Sequence, residues 1–410
     1  RSADVRKYLA SGTVDPAWTP PAFPSGAPSQ NVVRGLAAEA DGSLLIAGEF
    51  TAINGTPKKN IVRLMPAGNV DLNFTAPDTF QGMGIRRTSS GKFLVSATDG
   101  LAFPTKLRRL NSDGSLDATY AMDNSVADIV NAWSLDASER TVFDSGSAFV
   151  RLQQDGSLDT TFNTNVGVFG RIAAMARQSD GKVLMAGDFT QFNGVAAGNF
   201  VRTNDDGTLD PTFNAGTGFN SPPTNLYLQP DGKVIAIGTF SQYNGFAVSR
   251  IVRILANGSL DAGFNVSIDQ GRSVYAVEPL SDGRMYIAGN FLTVGGASRP
   301  GVARLNADGS LDANFNALIG GPVNITAVKV QPDGKVLIGG EFSGIGGFNR
   351  SGFARVDSTG ALDQAFNPAN TLAGRIYLAP DDRIFTTYAY SGDSLAVTRR
   401  DANGNVDPSF

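Results

Sequence analysis

One pattern constrains this chain more than any other. An aliphatic residue, Asp, any two residues and an aromatic recur nine times, around Asp15, Asp71, Asp117, Asp159, Asp210, Asp261, Asp312, Asp363 and Asp407. The successive spacings are 56, 46, 42, 51, 51, 51, 51 and 44 residues, and four identical values exclude coincidence. Repetition at this period means that one supersecondary unit has been copied. Each copy then buries its apolar faces against its neighbours.

The unit ending at Asp363 reads as four short strands. Residues 325–330 alternate about a buried face, and Pro332-Asp333-Gly334 makes a tight turn into residues 336–342. A Gly-rich loop leads to residues 352–356, and a turn at 358–360 leads to residues 362–366. Four antiparallel strands in some fifty residues is the signature of a propeller blade. The expected fold is therefore all-β, a single closed β-propeller of eight four-stranded blades, with seven blades as the alternative. The whole of residues 1–410 forms one domain in this reading. Residues 1–18 and 395–410 carry the two terminal copies and are expected to take part in ring closure. The 46-, 42- and 44-residue units lack both the Gly-x-Phe element and the long loop, which predicts one smoother sector.

A basic residue precedes the anchor Asp by eight positions in every copy. The clearest pairs are Arg202 with Asp210, Arg253 with Asp261, Arg304 with Asp312 and Arg355 with Asp363; the first copy has Lys7 opposite Asp15, and the last has Arg399 opposite Asp407. In a hairpin centred on the intervening turn the two charges face each other, and a one-residue slip would drive both into the core. They read as structural ion pairs. As an exposed pair each contributes about 0–1 kcal/mol, so Arg253→Ala is expected to destabilise only modestly. The anchor aromatics, among them Phe213, Phe264 and Phe315, read as packing between units.

Composition excludes several chemistries. With no Cys and no His there is no disulfide, thiolate nucleophile or histidine-based triad, and the commonest transition-metal ligand is missing. The net charge of −4, with no cluster of Lys and Arg, argues against a nucleic-acid partner. No apolar run is long enough for a membrane span. The chain opens on Arg1, so an upstream segment is expected to have been removed or left out. The stretch Asp205-Asp206-Gly207-Thr208-Leu209-Asp210 resembles a calcium loop superficially but lacks the alternating acids and distal Glu. Turn chemistry accounts for it, so no cofactor and no metal site is expected, calcium being the one alternative.

The loops between second and third strands carry Asn54-Gly55, Phe192-Asn193-Gly194 and Tyr243-Asn244-Gly245, with Gly295-Gly296 and Gly346-Gly347 in two further units. These pairs favour hairpin turns with positive φ. Asn54, Phe192, Asn193, Tyr243 and Asn244 form the candidate binding surface, since amides and aromatics on projecting loops suit a glycan or a protein edge.

The run Gln331-Pro332-Asp333-Gly334-Lys335-Val336-Leu337-Ile338-Gly339-Gly340-Glu341-Phe342, then Arg355-Val356-Asp357 and Gly360-Ala361-Leu362-Asp363-Gln364-Ala365-Phe366-Asn367, closely resembles the delta-60 repeat family. The resemblance implies a propeller and a secreted or cell-surface bacterial setting, often within large multidomain proteins. It supplies no catalytic residues. The expected function is a non-catalytic interaction module that binds glycan or protein at the cell surface, as part of an adhesin or another larger chain or assembly. The alternatives are a carbohydrate-active hydrolase or lyase working through carboxylates, for which the scarce Glu residues offer little, and a structural spacer.

Overall fold

The computed structural model describes residues 32–39, 41, 43–53, 56–65, 69–78, 80–99, 105–126, 133–145, 148–162, 171–368, 373–378, 384–390 and 393–400. The chain divides into two compact units, Arg1–Asp117 with Asn314–Phe410, and Ala118–Ala313. The described residues are all strand, turn and loop, without a helix.

Unit 2, Ala118–Ala313, holds four antiparallel three-stranded sheets in chain order. They are Trp133–Leu135, Thr141–Asp144, Phe149–Leu152; Ile172–Arg177, Val183–Gly187, Phe200–Thr203; Pro223–Leu228, Val234–Gly238, Ile251–Ile254; and Val274–Pro279, Met285–Gly289, Val302–Leu305. Unit 1 holds four more of the same kind, ending with Arg375–Leu378, Ile384–Tyr390 and Asp393–Arg400.

The middle strand of each regular sheet is buried along its first five residues, as Val234–Gly238 shows. It reads as a continuous apolar run because both its faces are covered. Val234 and Ala236 pack with Leu184 and Ala186 of the preceding sheet, whereas Ile235 and Ile237 pack with Met285 and Ile287 of the following one. Alternate side chains thus go to opposite neighbours. Each fully buried aliphatic side chain contributes roughly 1.5–3 kcal/mol. This sheet-on-sheet stacking of consecutive repeats is the propeller-type arrangement expected from the spacing.

Three features differ from the sequence reading. Among the described residues the fourth strand shrinks to a single bridge, for example Thr203 with Leu209, Ile254 with Leu260 and Val356 with Leu362. The cause is the next residue, since Asp210 Oδ1 accepts the Thr212 amide at 2.9 Å and turns the chain out of the sheet. The first strands carry a bulge that periodicity does not reveal, between Val274 and Ala276 and at equivalent points of other repeats. Between second and third strands the long loops form extra two-residue hairpins, such as Gln242–Tyr243 with Phe246–Ala247. In the 42-residue repeat the second and third strands come together directly, with the Ser145 amide donating to the Ala148 carbonyl at 2.9 Å. The terminal hairpins at 1–18 and 401–410 lie outside the described residues.

Thr141 and Thr203 occupy positions that hold aliphatic residues in other repeats. Both are buried, and neither hydroxyl has a hydrogen-bond partner. A buried hydroxyl without a partner costs about 1–3 kcal/mol. Thr203→Val is therefore expected to raise unfolding stability by about 1 kcal/mol in urea titrations. A loss of stability would show that the hydroxyl has a role.

Candidate interaction surface and the repeat clamp

The two-residue hairpins build one edge of the repeats. Asn193 and Gly194 have φ of 51° and 73°, and Asn244 and Gly245 have 47° and 77°, the mirror-image turn that Asn-Gly favours. This turn sends one flank inward and the other out. Phe192 and Tyr243 point inward and are fully buried. The Tyr243 hydroxyl donates to the Gly258 carbonyl at 2.5 Å, and burial pushes its pKa upward. These two aromatics therefore belong to the core and cannot stack on a ligand, which corrects their reading as binding residues. The outward flank presents Val195, 54% exposed, and Phe246, 59% exposed, in unit 2, and Phe348, 47% exposed, in unit 1. Asn193 and Asn244 form the turns themselves, and the Asn244 Oδ1 accepts the Thr217 amide at 3.1 Å. Asn54 lies outside the described residues.

The connectors between repeats set the direction in which each hairpin turns. Asn220 Oδ1 accepts the amides of Ser241 and Gln242 at 2.9 and 3.0 Å, and Phe219 forms a bridge with Tyr243. In the next repeat Asp269 takes the amides of Leu292 and Thr293 in the same way.

The periodic Arg and Asp do meet. Arg Nε lies 2.7 Å from Asp Oδ2 in Arg202–Asp210, 2.8 Å in Arg253–Asp261, 2.7 Å in Arg304–Asp312 and 3.0 Å in Arg355–Asp363. The Lys7–Asp15 and Arg399–Asp407 pairs fall outside the described side chains. Contrary to the expectation of exposed pairs, the four arginines are buried, with Arg355 only 2% exposed, as are Asp210 and Asp312, while Asp261 and Asp363 are mostly buried. Each Asp divides its oxygens: Oδ2 holds the guanidinium while Oδ1 caps the turn two residues on, as from Gly263 N at 3.0 Å.

Two further partners were missed. A second cation reaches the same carboxylate, Lys182 to Asp210 at 2.9 Å and Lys335 to Asp363 at 3.0 Å. Its signal was the Lys that follows the Asp-Gly turns at 180–181, 231–232 and 333–334, although Lys233 goes instead to Asp231 at 2.9 Å. The guanidinium also crosses to the next repeat, where Arg63 Nη1 donates to the Ser112 carbonyl at 2.7 Å and Arg202 Nη1 to Ala256 at 2.6 Å. Arg151 and Arg253 do the same to the carbonyls of Asp205 and Ala307. The guanidinium carbon stands 4.8 Å from the Phe213 ring centre in Arg202 and 4.6 Å from Phe264 in Arg253. One side chain thus clamps its own hairpin, its own anchor aromatic and the neighbouring turn.

The three acids of the stretch 205–210 serve separate partners. Asp205 holds Arg177 at 2.6 Å and Arg140 at 3.2 Å, Asp206 caps Thr208, and Asp210 belongs to the clamp.

Burial pushes the Asp210 carboxyl up. Hydrogen bonds from the Thr212 hydroxyl, Lys182, the Thr212 amide and Arg202 outweigh it and hold the group well below the usual carboxylate range. Asp159 and Asp363 are lowered by the same balance. A depressed folded value means stability that is complete above the unfolded pKa and is lost as pH falls through the folded one. Unfolding free energy should therefore drop most steeply below about pH 4. Asp210→Asn should be less stable at neutral pH and show a shallower acid slope. Parallel curves for the two proteins would contradict this account.

A family model described as "Domain of unknown function (DUF5122) beta-propeller" matches residues 39–74, 105–120, 143–162, 178–213, 229–264, 280–315 and 331–366. No curated protein matches the chain. Among solved structures, a protein of unknown function from Bacteroides caccae is 13% identical, with 63% of this chain and 88% of that one covered and a TM-score of 0.35. A catalytically inactive virginiamycin B lyase from Staphylococcus aureus, solved with quinupristin, is 14% identical, with 78% and 94% covered and a TM-score of 0.42. A structure described as the eukaryotic initiation factor is 11% identical, with 99% and 95% covered and a TM-score of 0.49. The family match spans more than half of the residues, including every regular clamp, so the chain belongs to the DUF5122 β-propeller family.

Proposed function

We propose that this propeller is a secreted or cell-surface interaction module, non-catalytic and free of cofactor, that docks a protein partner on its hairpin edge. The observation that carries this is the outward flank of the hairpins, where Val195 and Phe246 stay largely exposed although their cross-strand partners Phe192 and Tyr243 are buried. Apolar tips on rigid turns suit a protein interface. A glycan would favour a stacking aromatic, and Phe192 and Tyr243 are committed to the core. No helix among the described residues is long and apolar enough to cross a membrane.

The full reading is a ring of eight blades. It is supported by the eight main three-stranded sheets among the described residues, one per repeat beside a ninth small sheet of Ile319–Gly320, Gly344–Ile345 and Phe348–Asn349, and, within unit 1, by Val32–Ala38 lying beside Asp393–Arg400. Electron microscopy of the intact chain would count the blades.

The binding reading is tested with Val195→Ser and Phe246→Ser combined. Binding to extracted surface proteins is expected to fall at least about tenfold while the melting temperature stays unchanged. Glycan-array binding that survives the double substitution, or turnover of a polysaccharide, would overturn the proposal.

A further inference from the structure

In three repeats the hairpin tip leans on the connector through one amide. Asn244, Gly295 and Gly346 donate to the carbonyls of Gly218, Ser267 and Leu318, at 2.7, 2.8 and 3.1 Å. The three acceptors therefore share one position of the repeat. Gly218 fills it with φ of 68°, which glycine adopts freely. Leu318 fills it with φ of 49°, and its side chain is 58% exposed. A leucine in the left-handed region is strained, and this one gains little by burial. Strain kept at an exposed apolar side chain points to a contact made outside the chain.

Two neighbours in unit 1 complete a patch. Phe348 stands on the outward flank of the small sheet that begins at Ile319, and a Cβ on Gly346 would lie 3.9 Å from its ring. Arg350 follows two residues on. Its amide donates to the Ser343 carbonyl as those of Val248 and Arg299 do to Ser241 and Leu292, which fixes the equivalence. The other two repeats combine Gly218 with Phe246 and Val248, and Ser267 with Ala297 and Arg299. Of the three, only this repeat joins two large apolar side chains to an arginine.

The charge of Arg350 is poorly matched within the chain. Its Nη1 donates to the neutral Asn367 side-chain oxygen, and its Nε is buried without a partner. Asp363 is the carboxylate that acts on it, yet Asp363 already holds Arg355 at 2.8 Å and Lys335 at 3.0 Å. Burial pulls the guanidinium pKa down, which a carboxylate alongside would reverse.

We propose that Leu318, Phe348 and Arg350 form one docking site on the hairpin edge of unit 1, whose occupant is a protein segment that sets a carboxylate beside an apolar side chain. Leu318 and Phe348 cover the apolar group, and the guanidinium takes the carboxylate. This rests on the hairpin edge being the docking face.

A phage-displayed random peptide library panned on the intact chain is the probe. Recovered peptides are expected to carry Asp or Glu next to Phe, Leu or Trp. A synthetic copy should bind Leu318→Gly about tenfold more weakly, with the melting temperature unchanged within about 2 °C because glycine suits the backbone there. Arg350→Gln should weaken binding about fivefold and flatten its dependence on salt, which gives an independent reading. Tyr275→Ser, at an exposed aromatic of unit 2, should bind as before. No enrichment, peptides without an acid, equal binding by Leu318→Gly or a marked fall in its melting temperature would overturn the proposal. None of these outcomes bears on the surface-protein measurement with Val195 and Phe246 in unit 2, so the two readings fail separately.

Discussion

Arg253→Ala is expected to cost about 3 kcal/mol in urea unfolding, at the low end of what breaking a buried ion pair does. The exposed pair read from sequence would have cost about 1 kcal/mol or less. The difference lies in what the guanidinium touches. Arg253 is 8% exposed, holds Asp261 at 2.8 Å, crosses to the Ala307 carbonyl and covers Phe264. Its removal leaves the Asp261 carboxylate half-satisfied in a mostly buried site. No lysine stands in, because Lys233 is drawn to Asp231. Arg253→Lys should recover only part of the loss, since an ammonium cannot serve two acceptors in the fork geometry. Arg202→Ala should be milder, because Lys182 still reaches Asp210. Equal losses at the two positions would sink this explanation.

Gly289→Ala is expected to cost about 3–5 kcal/mol, placing it among the severe single substitutions. A Cβ on Gly289 would lie 2.0 Å from the Ser273 carbonyl oxygen, backbone against backbone, with the Phe291 ring also 3.0 Å away. The bulge in Val274–Pro279 brings the two strands this close. Neither can yield without moving Phe291, which is fully buried. Gly194→Ala makes the control. Its φ is 73° but nothing lies within 4 Å of a Cβ there, so only the left-handed backbone is strained, at about 1 kcal/mol. If the two variants unfold at the same urea concentration, close approach is not the reason for the conserved-looking Gly-x-Phe element within this chain.

These cases show how far the sequence could be read. The Arg–Asp partnership was legible because hairpin geometry alone places residues eight apart opposite each other around a turn, and Arg253 does meet Asp261. The turn type at Asn244-Gly245 was legible because few residue pairs tolerate two positive φ values. The burial of the clamp was not. Alternation shows which side chains share a face, but a sheet covered on both faces has no wet side to assign. Tyr243 misled for a related reason. An aromatic on a loop looks available until the connector at 215–220 is in place, and Asn220 then turns the hairpin inward.

The amino-acid sequence by itself determined the repeat, its strands, its turn chemistry and the pairing of Arg with Asp, all consequences of local geometry within some fifty residues. Only the tertiary structure decided that the clamp arginines are buried, that Arg202 and Arg253 reach the following repeat, and that Phe192 and Tyr243 face in while Val195 and Phe246 face out. Those outcomes depend on where the next copy of the repeat sits. A neighbour's backbone carbonyl or covering face leaves no mark on the residues it contacts, so it becomes visible only when the copies are packed together.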